Sequence, residues 1–519
     1  MRQGNSQMSI DKNKLLIILL FIVCTSLYFI FSIPSNSIWW DQEEAIRIAK
    51  DILKGNFPLV GYLHSNGMHS FPAFYYFVSP LVYISENTLF LYGSVAFLYI
   101  IGVLILANYT YNKFGRIECI LFLLFSATHV WSLFFASFFW NPNYIPFFMC
   151  LFIISLDKQI NEGSPVIYFH ISGILLNIIV QMMPQSIILI PSFVFILFLF
   201  KRLPSLMNQI IHVFIQIILV YPWIYFHLFI LDWENLKTQG KFFKNFTAIS
   251  EYMNFLGGWE LTSEYIHYAS YGTNTYPFEE FFDAVLTVSS ILIMMMIIYS
   301  TYLTLSKINY INLFNIQIKT VIEKDQAKQK LFMALSILNF SCVFYFLTGM
   351  HMTPHHYQFL TPLLALNLTL LTGFKKHRIK IVMSLLLCIF LQGSFSYWRA
   401  FSEYRKPYIT DVGYSDQFSR YFDDNCNSES SAYILDTEWF RTTNPVFESA
   451  SAFSIPLDKF RAVQNTSGNN SCGMLIFVLR DHYEQSKIIR WILEKDYMLT
   501  DMEFKDYTIW SRKNIKEHE

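Results

Sequence analysis

The sequence predicts an α-helical protein that crosses a membrane many times and ends in a small polar α/β domain. Three observations predict it. Of 519 residues, 54% are hydrophobic, 18% aromatic and 15% charged, where a soluble chain carries roughly a quarter charged. Apolar runs of membrane-spanning length recur through the first 397 residues. The charges are uneven as well: 34 of the Asp, Glu, Lys and Arg residues follow Tyr397, which divides the chain into a membrane body, 1–397, and a tail, 398–519. Thirty-eight acids balance 38 bases, so no global attraction to nucleic acid exists and that class of partner is excluded.

The first run, Leu15 to Ile33, is long enough to cross a hydrocarbon core of about 30 Å at about 1.5 Å per residue. Lys12 and Lys14 precede it, and Pro34, Trp39 and Trp40 follow where a signal peptide would show a small-residue cleavage site, so it reads as a retained helix. Next, Ala45, Ile48, Ala49, Ile52 and Leu53 share one helical face against Arg47, Lys50, Asp51 and Lys54. This predicts an amphipathic helix lying at the membrane surface with Trp anchors. Its basic stripe suits either a solvated face or a lipid phosphate. Phe71 to Ile84 is too short to span and is expected at the interface, completing a first external loop, 34–87. Further spans are expected at Thr88–Tyr111, Ile117–Ser137, Tyr144–Leu156, Val166–Met183, Ser186–Phe200, Asn208–Leu231, Ala284–Leu305, Leu331–Met350, Tyr357–Phe374 and Ile379–Tyr397. That gives about 11 transmembrane helices, within a range of about 11–13, with a second large external loop at 232–283.

Lys and Arg collect in cytoplasmic loops. With the N-terminus inside, 17 bases fall on the inner side and six on the outer side before the tail. The expected location is thus the cytoplasmic (inner) membrane, N-terminus cytoplasmic, tail external or periplasmic. Within the tail, Ser431–Leu435 and Met474–Leu479 read as buried strands, Tyr483–Glu494 as a helix, and Tyr497–Met502 with Glu503–Trp510 as a hairpin. Cys426 and Cys472 are its two cysteines; an external domain suggests a disulfide, and a cytoplasmic one would leave free thiols.

Polar residues fit for chemistry gather at the outer helix ends. Asp41 stands where the chain leaves the membrane beside two indoles; burial there makes a carboxylate a stronger base, while capping of the following helix is the structural alternative. Pro58-Leu59-Val60-Gly61 and Gly67-Met68-His69-Ser70-Phe71-Pro72 permit a tight loop before Ala73-Phe74-Tyr75-Tyr76. Trp140-Asn141-Pro142-Asn143 joins two spans, as a capped turn or as part of a site. His351, His355 and His356, with Tyr357, stand at a helix entry and suit metal, phosphate or plain interface hydrogen bonding.

Taken in order, the Trp-Asp turn, the amphipathic helix, the Pro-Leu-Val-Gly loop, the Pro-x-x-Tyr-Tyr helix start and Trp-Asn-Pro-Asn resemble the bacterial membrane glycosyltransferases of the GT-C type. Those enzymes are related to protein O-mannosyltransferases and to the aminoarabinose transferase that modifies lipid A. The resemblance implies a GT-C-like body that transfers a sugar from a polyprenyl-phosphate donor to a lipid, glycan or protein acceptor at the outer face. It implies that Asp41 activates the acceptor hydroxyl. His69, Tyr75, Tyr76, Asn141 and Asn143 then border the donor pocket, His355, His356 and Tyr357 face the lipid phosphate, and Glu44 belongs to the same substrate-binding set. Three positions depart from the family pattern: Gln42 stands in place of a second acid, Phe138 in place of an arginine, and His227 in place of an acid after Pro222. Gln42 argues against a paired-carboxylate metal site; a divalent cation stays open as cofactor.

A transporter or flippase of lipid-linked sugars would share the topology, yet such proteins place charges at mid-membrane and show inverted repeats. Neither pattern is present in the sequence. A membrane acyltransferase with His355 or His356 as catalytic base is a third class, in which the Leu59–Tyr76 loop has no role. The 17-to-six distribution of bases predicts that a topology reporter fused after Glu519 behaves as external; cytoplasmic activity of that fusion would overturn the orientation.

Overall fold

The structure is a computed structural model that describes residues 12–35, 40–61, 69–162, 166–230, 248–258, 279–310, 324–342, 354–374, 377–403, 431–435, 474–479, 497–504 and 507–512. Its body is a helical bundle: α1 Lys12–Ser32, α2 Trp40–Leu53, α3 Ala73–Ile84, α4 Thr88–Lys113, α5 Arg116–Ser126, α6 Val130–Ala136, α7 Ile145–Asn161, α8 Val166–Met182, α9 Leu189–Leu199, α10 Leu206–Tyr225, α11 Ala248–Gly257, α12 Glu279–Tyr310, α13 Lys324–Phe340, α14 Thr361–Leu371 and α15 Arg378–Glu403. Short 3-10 turns precede α7 (Asn141–Tyr144), α9 (Pro184–Ile188) and α14 (Pro354–Leu360), and a π-helical turn, Phe226–Ile230, follows α10.

Among the described residues, five helices are long and apolar enough to cross a membrane, or six if the bent α5–α6 pair forms one span. The protein is a multi-pass membrane protein. The run Tyr144–Leu156 extends into a helix of 17 residues, while Ser186–Phe200, Leu331–Met350 and Tyr357–Phe374 appear as helices of 11, 17 and 11 residues, shortened by turns or by the edge of the described chain. The last helix runs on to Glu403, beyond the sequence boundary at Tyr397.

Ile117–Ser137 is broken by a 64° bend between α5 and α6. A break inside hydrocarbon frees peptide groups that water cannot satisfy, and α15 supplies the partners. Gln392 Oε1 accepts from Val130 N at 3.2 Å, Ser396 Oγ donates to Thr128 O at 3.2 Å and Tyr397 Oη to Ala127 O at 3.2 Å. The carbonyls at the end of α11, orphaned as at any helix end, are likewise taken up: Trp131 Nε1 donates to Asn254 O at 2.8 Å, His129 Nε2 to Phe255 O at 3.1 Å and Gln392 Nε2 to Leu256 O at 3.1 Å. At mid-bundle Ser300, Ser336 and Asn367 hydrogen-bond across α12, α13 and α14 at 2.7–2.9 Å.

The helix ends near Lys113, Glu118 and Asp157 are clamped by charge. Asp157 on α7 is fully buried and pairs with Lys113 and Tyr109 of α4, while Asn161 donates to it at 2.6 Å. Glu118 on α5 pairs with Lys328 of α13.

Two expectations about the surface elements change. The apolar face of α2 is not spread on the membrane: Ala45, Ile46, Ile48, Ala49 and Ile52 are buried and α2 packs on α3, leaving Leu53 exposed. Its charged face is internally paired, Arg47 to Glu44 at 2.5 Å and Asp51 at 3.0 Å, and Lys50 to Glu86 at 2.9 Å. By contrast, no residue of α10 is buried. Polar ties hold it: His212 Nδ1 with His170 Nδ1 at 3.2 Å, and Leu219 O accepting from Gln181 Nε2 at 3.2 Å.

In the tail, strands β1 Ser431–Leu435, β2 Met474–Leu479, β3 Tyr497–Phe504 and β4 Tyr507–Arg512 form one sheet in the order β1-β2-β4-β3, with β1 and β2 parallel and the other pairs antiparallel. The first two coincide with the apolar runs. The hairpin turns later than expected: Phe504 pairs with Tyr507, the spacing of a two-residue turn. Helix Tyr483–Glu494, Cys426, Cys472 and their proposed disulfide lie outside the described residues.

Removing one partner of a buried ion pair leaves the other charge uncompensated, at about 3–5 kcal/mol. Asp157→Ala is therefore expected to lower the unfolding temperature of the detergent-solubilised protein sharply. The paired replacement Asp157→Leu with Lys113→Met should recover most of that loss, read by the same thermal melt.

Candidate functional site

The polar groups singled out in the sequence fall into two clusters. The first is the loop before α3. Gly61 N donates to Ser70 O at 2.8 Å, His69 Nδ1 donates to Gly61 O at 2.9 Å, and Ser70 Oγ meets Tyr75 Oη at 3.1 Å. A Cβ at position 61 would lie 2.1 Å from Ser70 Oγ and 2.2 Å from Tyr75 Cε2, so only glycine permits this closure. Residues 62–68 lie outside the described chain. Trp223 of α10 donates from Nε1 to His69 O at 2.9 Å and stacks on Phe71 with ring centroids 4.7 Å apart. His227 Nδ1 donates to Trp223 O at 2.9 Å and its ring lies 6.3 Å from that of His69. Thus His227 belongs to the loop cluster, held by a π-helical turn of the kind that recurs at functional sites.

Tyr76 points away from this closure, donating to Pro58 O at 2.9 Å beside the exposed ring of Phe57. Partial burial raises its pKa above the ordinary phenol value, which keeps it a neutral donor. Tyr75 is buried and acts as a wall of the loop.

Asp41 falls in the first turn of α2, inside the helix and not before it, a favourable place for an acid near the positive end of the helix dipole. Its side chain is outside the described residues. Glu44 is engaged by Arg47 through two hydrogen bonds of 2.5 and 2.7 Å, and this contact raises the guanidinium pKa.

The second cluster joins the Asn141–Tyr144 and Pro354–Leu360 turns, which pack together. Asn141 Nδ2 donates to Met182 O at 2.6 Å and Asn143 Nδ2 to Phe138 O at 2.7 Å. Neither side chain caps α7, as the turn reading expected; α7 has no side-chain cap. His355 lies 4.6 Å from the Trp140 ring and 3.9 Å from His356, centroid to centroid. Tyr357 is fully buried against Tyr252 and Phe255 of α11, at 5.3 and 5.6 Å. Phe138 is a core side chain against Tyr92. His351 lies outside the described residues.

The clusters are neighbours rather than one constellation. Phe77 and Phe74 of α3 pack on Tyr144 at 5.2 and 6.0 Å, and Ser32 at the end of α1 donates to Ser137 at 3.1 Å, which brings the exit toward Asp41 to the same end of α6. Asn141, Asn143, His355, His356 and Tyr357 come together; His69 sits on Trp223 and His227 instead.

Sequence reading missed four features. Gln358 and Thr361 are buried polar residues inside an apolar stretch. Arg399 is 3% exposed with its guanidinium 4.5 Å over the Phe134 ring, a buried cation near the C-terminal end of α15. Behind Tyr252 lies a groove of about 320 Å³ lined by Met294, Ile298, Tyr302, Phe340 and Cys342, with Asn339 as a lone amide. The signal for Gln358 and Thr361 was their recurrence every third residue after His355; the groove has none, because its walls come from three helices. Among the described residues no group of three or more His, Cys, Asp or Glu could hold a metal ion.

No family model matches the chain, and no curated protein sequence matches it. Solved structures do. The chain is similar to ArnT from Cupriavidus metallidurans in the apo state, 10% identical over 95% of this chain and 97% of that one, TM-score 0.49. The same protein bound to undecaprenyl phosphate gives 11%, 95%, 97% and 0.46. The archaeal oligosaccharyltransferase AglB from Archaeoglobus fulgidus, in complex with an inhibitory peptide and a dolichol-phosphate, is 12% identical over 75% of this chain and 56% of that one, TM-score 0.44. Both are GT-C glycosyltransferases; at such identities and scores the likeness assigns neither residues nor activity to this chain.

Proposed function

We propose that this protein transfers a glycosyl group from a polyprenyl-phosphate-linked sugar to a lipid, glycan or protein acceptor at the outer face of the cytoplasmic membrane. The observation that carries the reading is the two-sided character of the second cluster. An apolar groove open to the bilayer shares a wall, Tyr252 against Tyr357, with a turn that carries His355, His356 and a set of buried amides. An amphiphile with a long hydrocarbon chain and a polar head matches both halves. The sequence resemblance to GT-C enzymes supports the same reading, as does the expected topology of about 11 spans that puts these turns outside.

In this mechanism the acceptor hydroxyl attacks the anomeric carbon and the bond to the lipid phosphate breaks. The hydroxyl proton passes to Asp41, and donors from His355, His356 and Tyr357 stabilise charge on the departing phosphate. A single base fits inversion without a covalent glycosyl-enzyme. Glu44 is less suited to the role, since Arg47 occupies it. The loop of His69, Tyr75 and Tyr76 borders the donor side.

Asp41→Asn separates catalysis from structure, because it keeps shape while removing basicity. The variant is expected to insert and fold, to bind polyprenyl-phosphate sugar, and to lose about 10²-fold or more in transfer rate. Near-normal transfer by the purified variant would transfer the assignment to Glu43 or Glu44. Comparison of lipid and glycan profiles from cells with and without the protein, by mass spectrometry, tests the reaction itself: an unchanged profile overturns it.

A further inference from the structure

Six buried side-chain atoms without a hydrogen-bond partner come from two turns in contact: Trp140 Nε1, Asn141 Oδ1 and Asn143 Oδ1 on one, Gln358 Nε2, Gln358 Oε1 and Thr361 Oγ1 on the other and its junction with α14. Gln358, Thr361 and Asn143 are each 2% exposed or less. Their amide orientations are fixed where they matter, since the Nδ2 atoms of Asn141 and Asn143 are committed to carbonyls and the free atoms are the oxygens. In a 3-10 turn, residues three apart eclipse one another, so His355, Gln358 and Thr361 share one face, and His355 lies against Trp140.

Polar atoms buried without partners are rare in native proteins, and these six, closed off by the contact of the two turns, gain partners when the turns part to admit polar matter. The chemistry of that matter follows from the inventory: two N–H donors, three carbonyl acceptors and one hydroxyl that does both. A phosphate offers only acceptors and would face three more. An ammonium offers only donors, and the segments Asn141–Tyr144, Pro354–Leu360 and Thr361–Leu371 hold no carboxylate to neutralise it. Vicinal hydroxyls, each a donor and an acceptor, match the mixture.

We propose that the junction of the Asn141–Tyr144 and Pro354–Leu360 turns is the subsite for the donor's sugar ring, and that it takes an uncharged sugar, with Gln358 and Thr361 as specificity-determining residues. This rests on the glycosyl-transfer reading above. Next to the subsite, His355 and His356 are assigned to the phosphate, so sugar and phosphate are read by different side chains of one turn.

The test is binding to the full-length protein in lipid nanodiscs, with five probes: bare polyprenyl phosphate, its glucose, galactose and mannose esters, and its 4-amino-4-deoxyarabinose ester. Wild-type protein is expected to bind at least one neutral-sugar ester about tenfold more tightly than bare polyprenyl phosphate, and more tightly than the amino-sugar ester. Gln358→Met and Thr361→Val each preserve shape, and each should reduce that preference by about threefold to tenfold, the scale of a lost neutral hydrogen bond, with affinity for bare polyprenyl phosphate unchanged. Preference undiminished in a folded variant, as a network of internal waters would give, overturns the subsite. Equal or tighter binding of the amino-sugar ester overturns the uncharged specificity. No binding of polyprenyl phosphate in any form overturns the transfer reading itself and this assignment with it.

Discussion

A peptide group buried away from water must find its partner within the protein, and this protein breaks its helices among buried side chains. The bend after Ser126 and the end of α11 both expose backbone groups, and one side chain, Gln392, answers to both: it accepts from Val130 N and donates to Leu256 O and to Ser289 Oγ. The placement of the turns beside Trp140 depends on that pairing. It fixes α6 against α15 and draws α11 down against α12, where Gly257 allows the backbone of Ser290 to approach. With α11 in place, Tyr252 and Phe255 form the wall on which Tyr357 rests, and the Pro354–Leu360 turn is held beside Trp140.

The two ends of the bundle treat polarity differently. At one end, Asp157, Lys113, Glu118 and Lys328 are matched in pairs, an arrangement that ties α4 to α7 and α5 to α13, although Asn161 Oδ1 beside them lacks a partner. At the end that carries the Asn141–Tyr144 and Pro354–Leu360 turns, buried amides, a hydroxyl and an indole lack partners, and no buried ion pair stands among those described residues. Each such group costs about 1–3 kcal/mol.

Long apolar runs were readable from composition alone, because five of them span by length and need no partner to be recognised. The bend at Ala127–His129 was not, since its cause lies in Gln392, far along the chain. The fate of α2 was half readable: its amphipathic period is real, but only the presence of α3 decides that the apolar face meets protein instead of lipid. In the site, the Trp-Asn-Pro-Asn and His-His-Tyr segments could be singled out by residue type, and the structure joins them. His69 could be singled out as well, but its companions Trp223 and His227 sit at the end of a largely apolar helix, where nothing in the local pattern ties them to the loop. Gln358 and Thr361 escaped notice because an isolated polar residue in an apolar run has no meaning until its neighbours in space are known.

Gly61 makes the first loop a unit of inheritance. The space a methyl group would need is filled by Ser70 and by the ring of Tyr75, so a change at 61 is accommodated only together with room made at 70 and 75, positions whose effects then fail to add. Sequence drift through this loop must proceed by concerted steps, and the three residues are expected to co-vary wherever the closure is kept.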